Sequence, residues 1–429
     1  MSNLKDNGCS EYNALTRRQL VQGAVGVATL AGTLPWIPQV AYAQSQNSSR
    51  DVLVSIYQRG GADGLSLCAP FGDPDYYGAG VRPTIAIPRP DSSSLHKGLD
   101  LDGFFALPEA MAGLLPAYNA KNLLVVHATG SVDPTRSHFD AQHYMEAGIP
   151  EDNSVTTGWL GRHLATAAPL VPSSPLRALS LGYNVPLTLT GGDKTLPIPS
   201  PGNFGLYGSA KTEVAREGWL RADYDQGNDP VKSAADNTLS TIALLKKIDF
   251  ANYKPAGGAI YPNNSFGNAL KAAAALIKAQ VGVEAIHIDI GGWDTHSGEN
   301  PLVGYLANLM KTFGDGIGAF HADIFGGNSK DVTLVTMSEF GRNVRENASG
   351  GTDHGHGNCM FVMGGKVAGG RTLSQWPGLH QDKLYQGQDL QVTIDHRDIL
   401  AEIVQKRLNN TALGFIFPNY TPTFRGVIG

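Results

Sequence analysis

Four short, almost wholly apolar runs recur along the chain, each cut off by glycine and by charged or polar residues. Val52-Leu53-Val54-Ser55-Ile56-Tyr57 ends at Arg59-Gly60-Gly61-Ala62-Asp63-Gly64, and Leu123-Leu124-Val125-Val126-His127 lies ahead of Ser137. Ala285-Ile286-His287-Ile288-Asp289-Ile290 runs into Gly291 to Ser297, and Val332-Thr333-Leu334-Val335-Thr336-Met337 into Ser338-Glu339. Runs of this length read as buried strands. Helical spacing lies between and after them, over Leu107 to Tyr118, from Ser137 to Met145, over Leu302 to Phe325 and over Asp398 to Leu408. Such alternation predicts an α/β fold in three layers, a mostly parallel sheet with helices on both faces. The polar clusters then fall beyond the carboxyl ends of the strands, where sheets of this kind collect ligands. Asp63, Ser137, Asp294 with His296, and Glu339 all take that position. The stretch from about 190 to 261, rich in Gly, Pro and Asn, reads as an insertion or cap, so residues 44–429 form one domain.

The first 43 residues stand apart from that pattern. Thr16-Arg17-Arg18-Gln19-Leu20 opens an apolar run from Val21 to Ile37, and Ala41-Tyr42-Ala43 supplies small residues at a cleavage point, the layout of a twin-arginine signal peptide. Gly23, Gly26, Gly32, Pro35 and Pro38 interrupt the run, which falls short of the roughly 20 apolar residues that span a bilayer. The expectation is a periplasmic or secreted protein, handled by the twin-arginine export machinery, with no integral membrane segment in its mature form. That route carries folded proteins, often with a metal already seated. Loss of the leader moves the formal charge from −5 to about −6. No basic stripe points to nucleic acid. Cys9 leaves with the leader, and Cys68 and Cys359 are too few for a disulfide framework; they either pair in an oxidising compartment or lie buried as small apolar residues, and burial is the expectation.

Three segments carry chemistry. In Pro134-Thr135-Arg136-Ser137-His138-Phe139-Asp140, a serine at a helix start is placed to attack an anionic ester, with Arg136 to bind the same group. Ser137 also suits an N-cap. In Gly291-Gly292-Trp293-Asp294-Thr295-His296-Ser297, a carboxylate and an imidazole two residues apart can face one metal; Asp294 also suits an Asx-turn, but the buried strand ahead of the loop favours the ligand reading. Gly351-Thr352-Asp353-His354-Gly355-His356-Gly357 is the densest cluster, and its glycines let the backbone fold tightly around a divalent ion. No Gly-x-Ser-x-Gly elbow surrounds Ser137, against an ordinary Ser/His/Asp hydrolase. His127, His138, His143, His287, His380 and His396 read as structural or surface histidines.

Taken together, Arg59 to Leu65, Arg136 to Asp140, Gly292 to His296, Ser338-Glu339-Phe340-Gly341-Arg342 and Thr352 to Gly357 resemble the domain-of-unknown-function family 1501, grouped with the alkaline phosphatase and sulfatase superfamily. The resemblance spans nearly the whole mature chain. It implies an alkaline phosphatase-like fold with one or two divalent ions at the carboxyl edge, zinc first, with calcium, magnesium or manganese as alternatives. It also implies an activated hydroxyl that attacks phosphorus or sulfur. Ser137 is similar in place to the nucleophile of the nucleotide pyrophosphatase branch. Asp63, Asp294, His296, Glu339, Asp353, His354 and His356 become the implied ligands. Three departures bear on this. Ser338-Glu339-Phe340-Gly341 stands where an Asp-His pair is usual, and Asp294 and His296 are closer in sequence than the usual pair. Val132-Asp133-Pro134-Thr135-Arg136 also lacks the residue that becomes formylglycine. The expected function is an exported metal-dependent hydrolase of phosphate or sulfate esters. The alternative is a non-catalytic metal-binding or assembly protein acting on another exported protein.

Overall fold

The fold was taken from a computed structural model, which describes residues 50–225, 230–326 and 331–429. The twin-arginine segment lies outside the described residues. Nine strands form the main sheet among those residues: β1 (Val52–Gln58), β2 (Leu123–Gly130), β3 (Ala178–Ser180), β4 (Thr195–Pro197), β5 (Ala285–Ile290), β6 (Val332–Ser338), β7 (Asn358–Gly364), β8 (Arg371–Ser374) and β9 (Ile394–Asp395). Their order is β8-β2-β7-β6-β1-β5-β3-β4, with β9 also paired to β2. β7 runs antiparallel to β2 and β6. The other pairings are parallel.

The principal helices are α1 (His138–Ala147), α2 (Trp159–Thr166), α3 (Glu213–Tyr224), α4 (Pro230–Leu245), α5 (Ser265–Lys278), α6 (Tyr305–Gly326) and α7 (His396–Lys406). Side chains alternate across a strand, so each central strand feeds two cores. Val54 and Ile56 of β1 join the cluster that includes Leu270 of α5 and Met310, Phe313, Ile317 and Phe320 of α6. Leu53 and Tyr57 join the opposite cluster, with Leu160 of α2 and Ile399 and Ile403 of α7. The α6 residues recur at helical spacing, and each such side chain contributes about 1.5–3 kcal/mol by leaving water. The expected three-layer α/β architecture is what forms.

Two local expectations differ. Leu107 to Tyr118 is no single α-helix but a 3₁₀ stretch, Glu109–Leu114, followed by a short helix, Leu115–Asn119. Pro116 lacks the N–H that a continuous helix needs and crowds the carbonyl four residues back. The insertion expected at about 190–261 holds β4, an edge strand of the main sheet. Ile198, Leu244 and Leu245 from it are core residues. Cys68 and Cys359 are both buried free thiols. No helix among the described residues is long and apolar enough to cross a membrane.

The antiparallel β7 decides where the site forms. Because β6 and β7 run in opposite directions, the segment between them, residues 339–357, starts and ends at the carboxyl edge of β6. The Asp353-His354 pair is therefore brought back to the strand end from which sequence distance had removed it.

Candidate metal centre

Glycines let three segments meet above that edge. Gly60 has a φ of +115°, and a Cβ there would lie 2.6 Å from the Asp294 backbone nitrogen. At Gly351 a Cβ would lie 2.5 Å from the carbonyl carbon of His296. Side chains at either position would force the post-β1, post-β5 and pre-β7 loops apart. Helix α1 completes the assembly with its first residue, His138, which is fully buried.

His138, Asp294 and His354 present ligand atoms within 4.8 Å of one another. His296 joins them, its Nε2 lying 2.9 Å from His354 Nε2 and 3.0 Å from Asp294 Oδ1. His354 Nε2 is 3.3 Å from the same oxygen, and His138 Nε2 faces Asp294 Oδ2 at 3.5 Å. Each imidazole is anchored through its other nitrogen. His138 Nδ1 bonds Glu339 Oε2, His296 Nδ1 bonds Asp353 Oδ1 at 2.9 Å, and His354 Nδ1 bonds the Arg136 carbonyl at 2.8 Å. An ionised carboxylate or a carbonyl only accepts, so Nδ1 carries the hydrogen in all three rings. In the neutral rings the Nε2 lone pairs then turn towards Asp294, which is how metal-ligating histidines are oriented by their neighbours. Three imidazoles with one carboxylate suit zinc better than calcium or magnesium, which take oxygen donors.

Arg342 ties the loops together beneath this cluster. It is buried, and its Nη2 donates to Asp294 Oδ1 at 2.6 Å and to the Trp293 carbonyl at 3.1 Å. Its Nε donates to the Gly61 carbonyl at 2.6 Å and its Nη1 to the Thr352 carbonyl at 3.1 Å, while Nη2 also reaches the Gly60 carbonyl. Burial would raise the Asp294 pKa. Hydrogen bonds from the three Nε2 atoms, which form only while the rings are doubly protonated, and the Arg342 charge outweigh it and hold that carboxyl far below the usual carboxylate range. At His138 burial is outweighed by bonds to Asp294 and Glu339, which push the imidazole up to about 9. An entering cation has to displace that proton.

Residues 50–412 match the family described as Protein of unknown function (DUF1501). The chain belongs to that family. No curated protein matches it in sequence. Among solved structures it is similar to a protein in the alkaline phosphatase superfamily from Vibrio parahaemolyticus, at 10% identity over 76% of this chain and 63% of that one, with a TM-score of 0.33. The chain thus spans less than two thirds of the Vibrio protein. The C-terminal periplasmic domain of EptC from Escherichia coli, in complex with Zn, matches at 10% identity over 91% of this chain and 93% of that one, with a TM-score of 0.36. The FucS1 sulfatase from Pseudoalteromonas sp. matches at 14% identity over 89% of this chain and 70% of that one, with a TM-score of 0.35.

In this DUF1501 chain the expected site residues separate into groups. Asp294, His296 and His354 converge. Glu339 and Asp353 stand behind histidines as acceptors rather than among the converging atoms, and Glu339 also accepts from the Gly60 N–H at 2.7 Å. Asp63 is spent elsewhere: fully buried, it meets Arg82 through both carboxylate oxygens, at 2.5 and 3.0 Å. His356 stacks on Tyr385 with ring centres 4.4 Å apart and lines a small cleft with Ser131, Asp133, Thr135 and Glu339. Ser137 stands at the N-cap position of α1, and its hydroxyl makes no capping bond. The residues on both sides of it are tied to the cluster, Arg136 by its carbonyl and His138 by its ring. The Arg136 guanidinium, expected to face an anion, instead pairs with the buried Asp389. His138, read from sequence as a structural histidine, is a member of the cluster. Its one local signal is that it directly follows Ser137 at a helix start beyond a strand.

Proposed function

We propose that this DUF1501 protein is an exported metal-dependent hydrolase of phosphate or sulfate esters, with Ser137 as the attacking hydroxyl. The observation that carries the reading is the anchoring of His138, His296 and His354 through Nδ1, which leaves three Nε2 atoms aimed at Asp294. Polar side chains assembled only for stability do not need three rings held in one tautomer around a carboxylate. A divalent ion, when bound, supplies Lewis-acid charge for an anionic ester and for the attacking group. The chain supplies the rest. Ser137 opens α1, where the unsatisfied backbone N–H groups favour negative charge. Its hydroxyl is not taken up in capping, and its two neighbours fix its backbone against the cluster. The twin-arginine pattern at residues 16–20 supports a periplasmic or secreted setting, with the folded chain handled by the export machinery.

The second reading is a non-catalytic metal-binding or assembly protein for another exported protein. The pairing of Arg136 with Asp389 favours it, because the cation expected to hold an anion is engaged elsewhere. The two readings part on one experiment. Zinc-loaded protein is assayed against chromogenic phosphate and sulfate esters, together with Ser137→Ala. The hydrolase reading expects turnover that a chelator abolishes and that Ser137→Ala lowers at least about a hundredfold with metal content unchanged. Metal-replete protein that cleaves no ester in a broad panel sinks it in favour of the second reading.

A further inference from the structure

We propose that the centre holds a single metal ion, and that the buried guanidinium of Arg342 takes the place beside Asp294 that a second cation would otherwise fill. The proposal rests on the metal-centre reading above. A second ion needs donors that are not already occupied; the carboxylates left over for it are engaged, and the remaining imidazole, His356, stands apart from the converging atoms. Asp63 gives both oxygens to Arg82, so a cation there would lie against a buried positive charge. Glu339 accepts from His138 and from the Gly60 N–H, and Asp353 accepts from His296 and, at 3.3 Å, from Asn347. His356 is stacked on Tyr385 and is not one of the converging residues.

Charge points the same way. Asp294, Glu339 and Asp353 bring three negative charges to the cluster and its supports, and Arg342 brings one positive charge at 2.6 Å from Asp294 Oδ1. With neutral histidines the balance is two negative charges, which one divalent ion neutralises. A second ion would leave an uncompensated double positive charge in a part of the molecule where Glu339 and Arg342 are buried. Arg342 is also better placed than a mobile ion to fix Asp294. It donates at once to Asp294 and to carbonyls of Gly60, Gly61, Trp293 and Thr352, on three separate loops. It is a positioning residue acting through Asp294.

The test is metal stoichiometry of the purified protein, by elemental analysis and by calorimetric titration with Zn²⁺, with the visible spectrum of the Co²⁺ form as a second readout. One ion per chain is expected in the wild type and also in His356→Gln. Arg342→Met is expected to weaken Zn²⁺ binding at least about tenfold and to alter the Co²⁺ spectrum, with Arg342→Lys intermediate. Two tightly bound ions, one of them lost in His356→Gln, overturn the single-ion proposal and leave the metal-centre reading intact. A chain that binds no ion overturns both. A folded Arg342→Met protein with wild-type affinity and an unchanged Co²⁺ spectrum removes Arg342 from the account. Should that variant fail to fold, the wild-type stoichiometry still decides.

Discussion

Asp63 and Arg82 form an ion pair whose side chains are both fully buried. Burial would raise the Asp63 pKa, but the Arg82 charge and its hydrogen bonds outweigh it and lower that pKa. Removing one partner of a buried pair leaves an uncompensated charge and costs about 3–5 kcal/mol. Asp63→Ala is therefore expected to lose about that much unfolding free energy in urea, while the protein that remains folded binds metal as the wild type does. Native stability, or a folded but metal-free variant, would contradict this. The same residue marks where sequence reading stops. Its place after β1 could be read locally, whereas its partner is set by a loop that returns nineteen positions later. His138 is a sharper case, because the carboxylate that fixes its ring lies 201 positions away. Its place just after Ser137 at a helix start is the one local signal, and it does not distinguish a ring held by Glu339 from one packed in a core.

At the scale of elements, the strands were readable because β1, β2, β5 and β6 are buried on both faces and so almost continuously apolar. β3, β4 and β9 have two or three residues each and leave too short a pattern to detect. β7 is as buried and as apolar as the readable strands, yet it is not among those named from the sequence, and with its antiparallel direction the return of Asp353-His354 to the β6 end is missed there. The loops that meet there are coupled through Glu299. Its Oε2 accepts from Thr352 Oγ at 2.9 Å, and its Oε1 lies 3.1 Å from Ser66 Oγ. Ser66 has one hydroxyl hydrogen and gives it to Asp63, so its bond with Glu299 forms when Glu299 carries the proton. Burial, and then the Asp63 charge, push the Glu299 carboxyl up to about 8 from an ordinary 4.5. Between those values the folded chain holds a proton that the unfolded chain has lost, so this group's contribution falls as pH rises through the window and levels off above it. Glu299→Gln keeps a donor and an acceptor but does not titrate. The Tm of Glu299→Gln minus that of the wild type is expected to increase from about pH 5 to about pH 8. A difference independent of pH would refute the shared proton.

For the whole molecule, the candidate ligands come from the start of α1, the loop after β5 and the loop before β7, from residue 138 to residue 354. An unfolded chain does not hold such distant groups together, so an ion bound by them stabilises only the folded state. With free metal a hundredfold above Kd, the gain is about 2.7 kcal/mol. In a domain of this size that corresponds to a Tm shift of about 3 °C. Stripping the ion with a chelator is expected to lower Tm by about that amount, and adding Zn²⁺ back to restore it. In His138→Ala the chelator shift should shrink or vanish, because the converging set has lost one nitrogen. His380 provides the control. Its ring is exposed and bonds Asp382 only two residues away, so His380→Ala should keep the full shift. A Tm that stays constant after verified metal removal would mean that the convergence of His138, Asp294, His296 and His354 does not bind an ion with useful affinity.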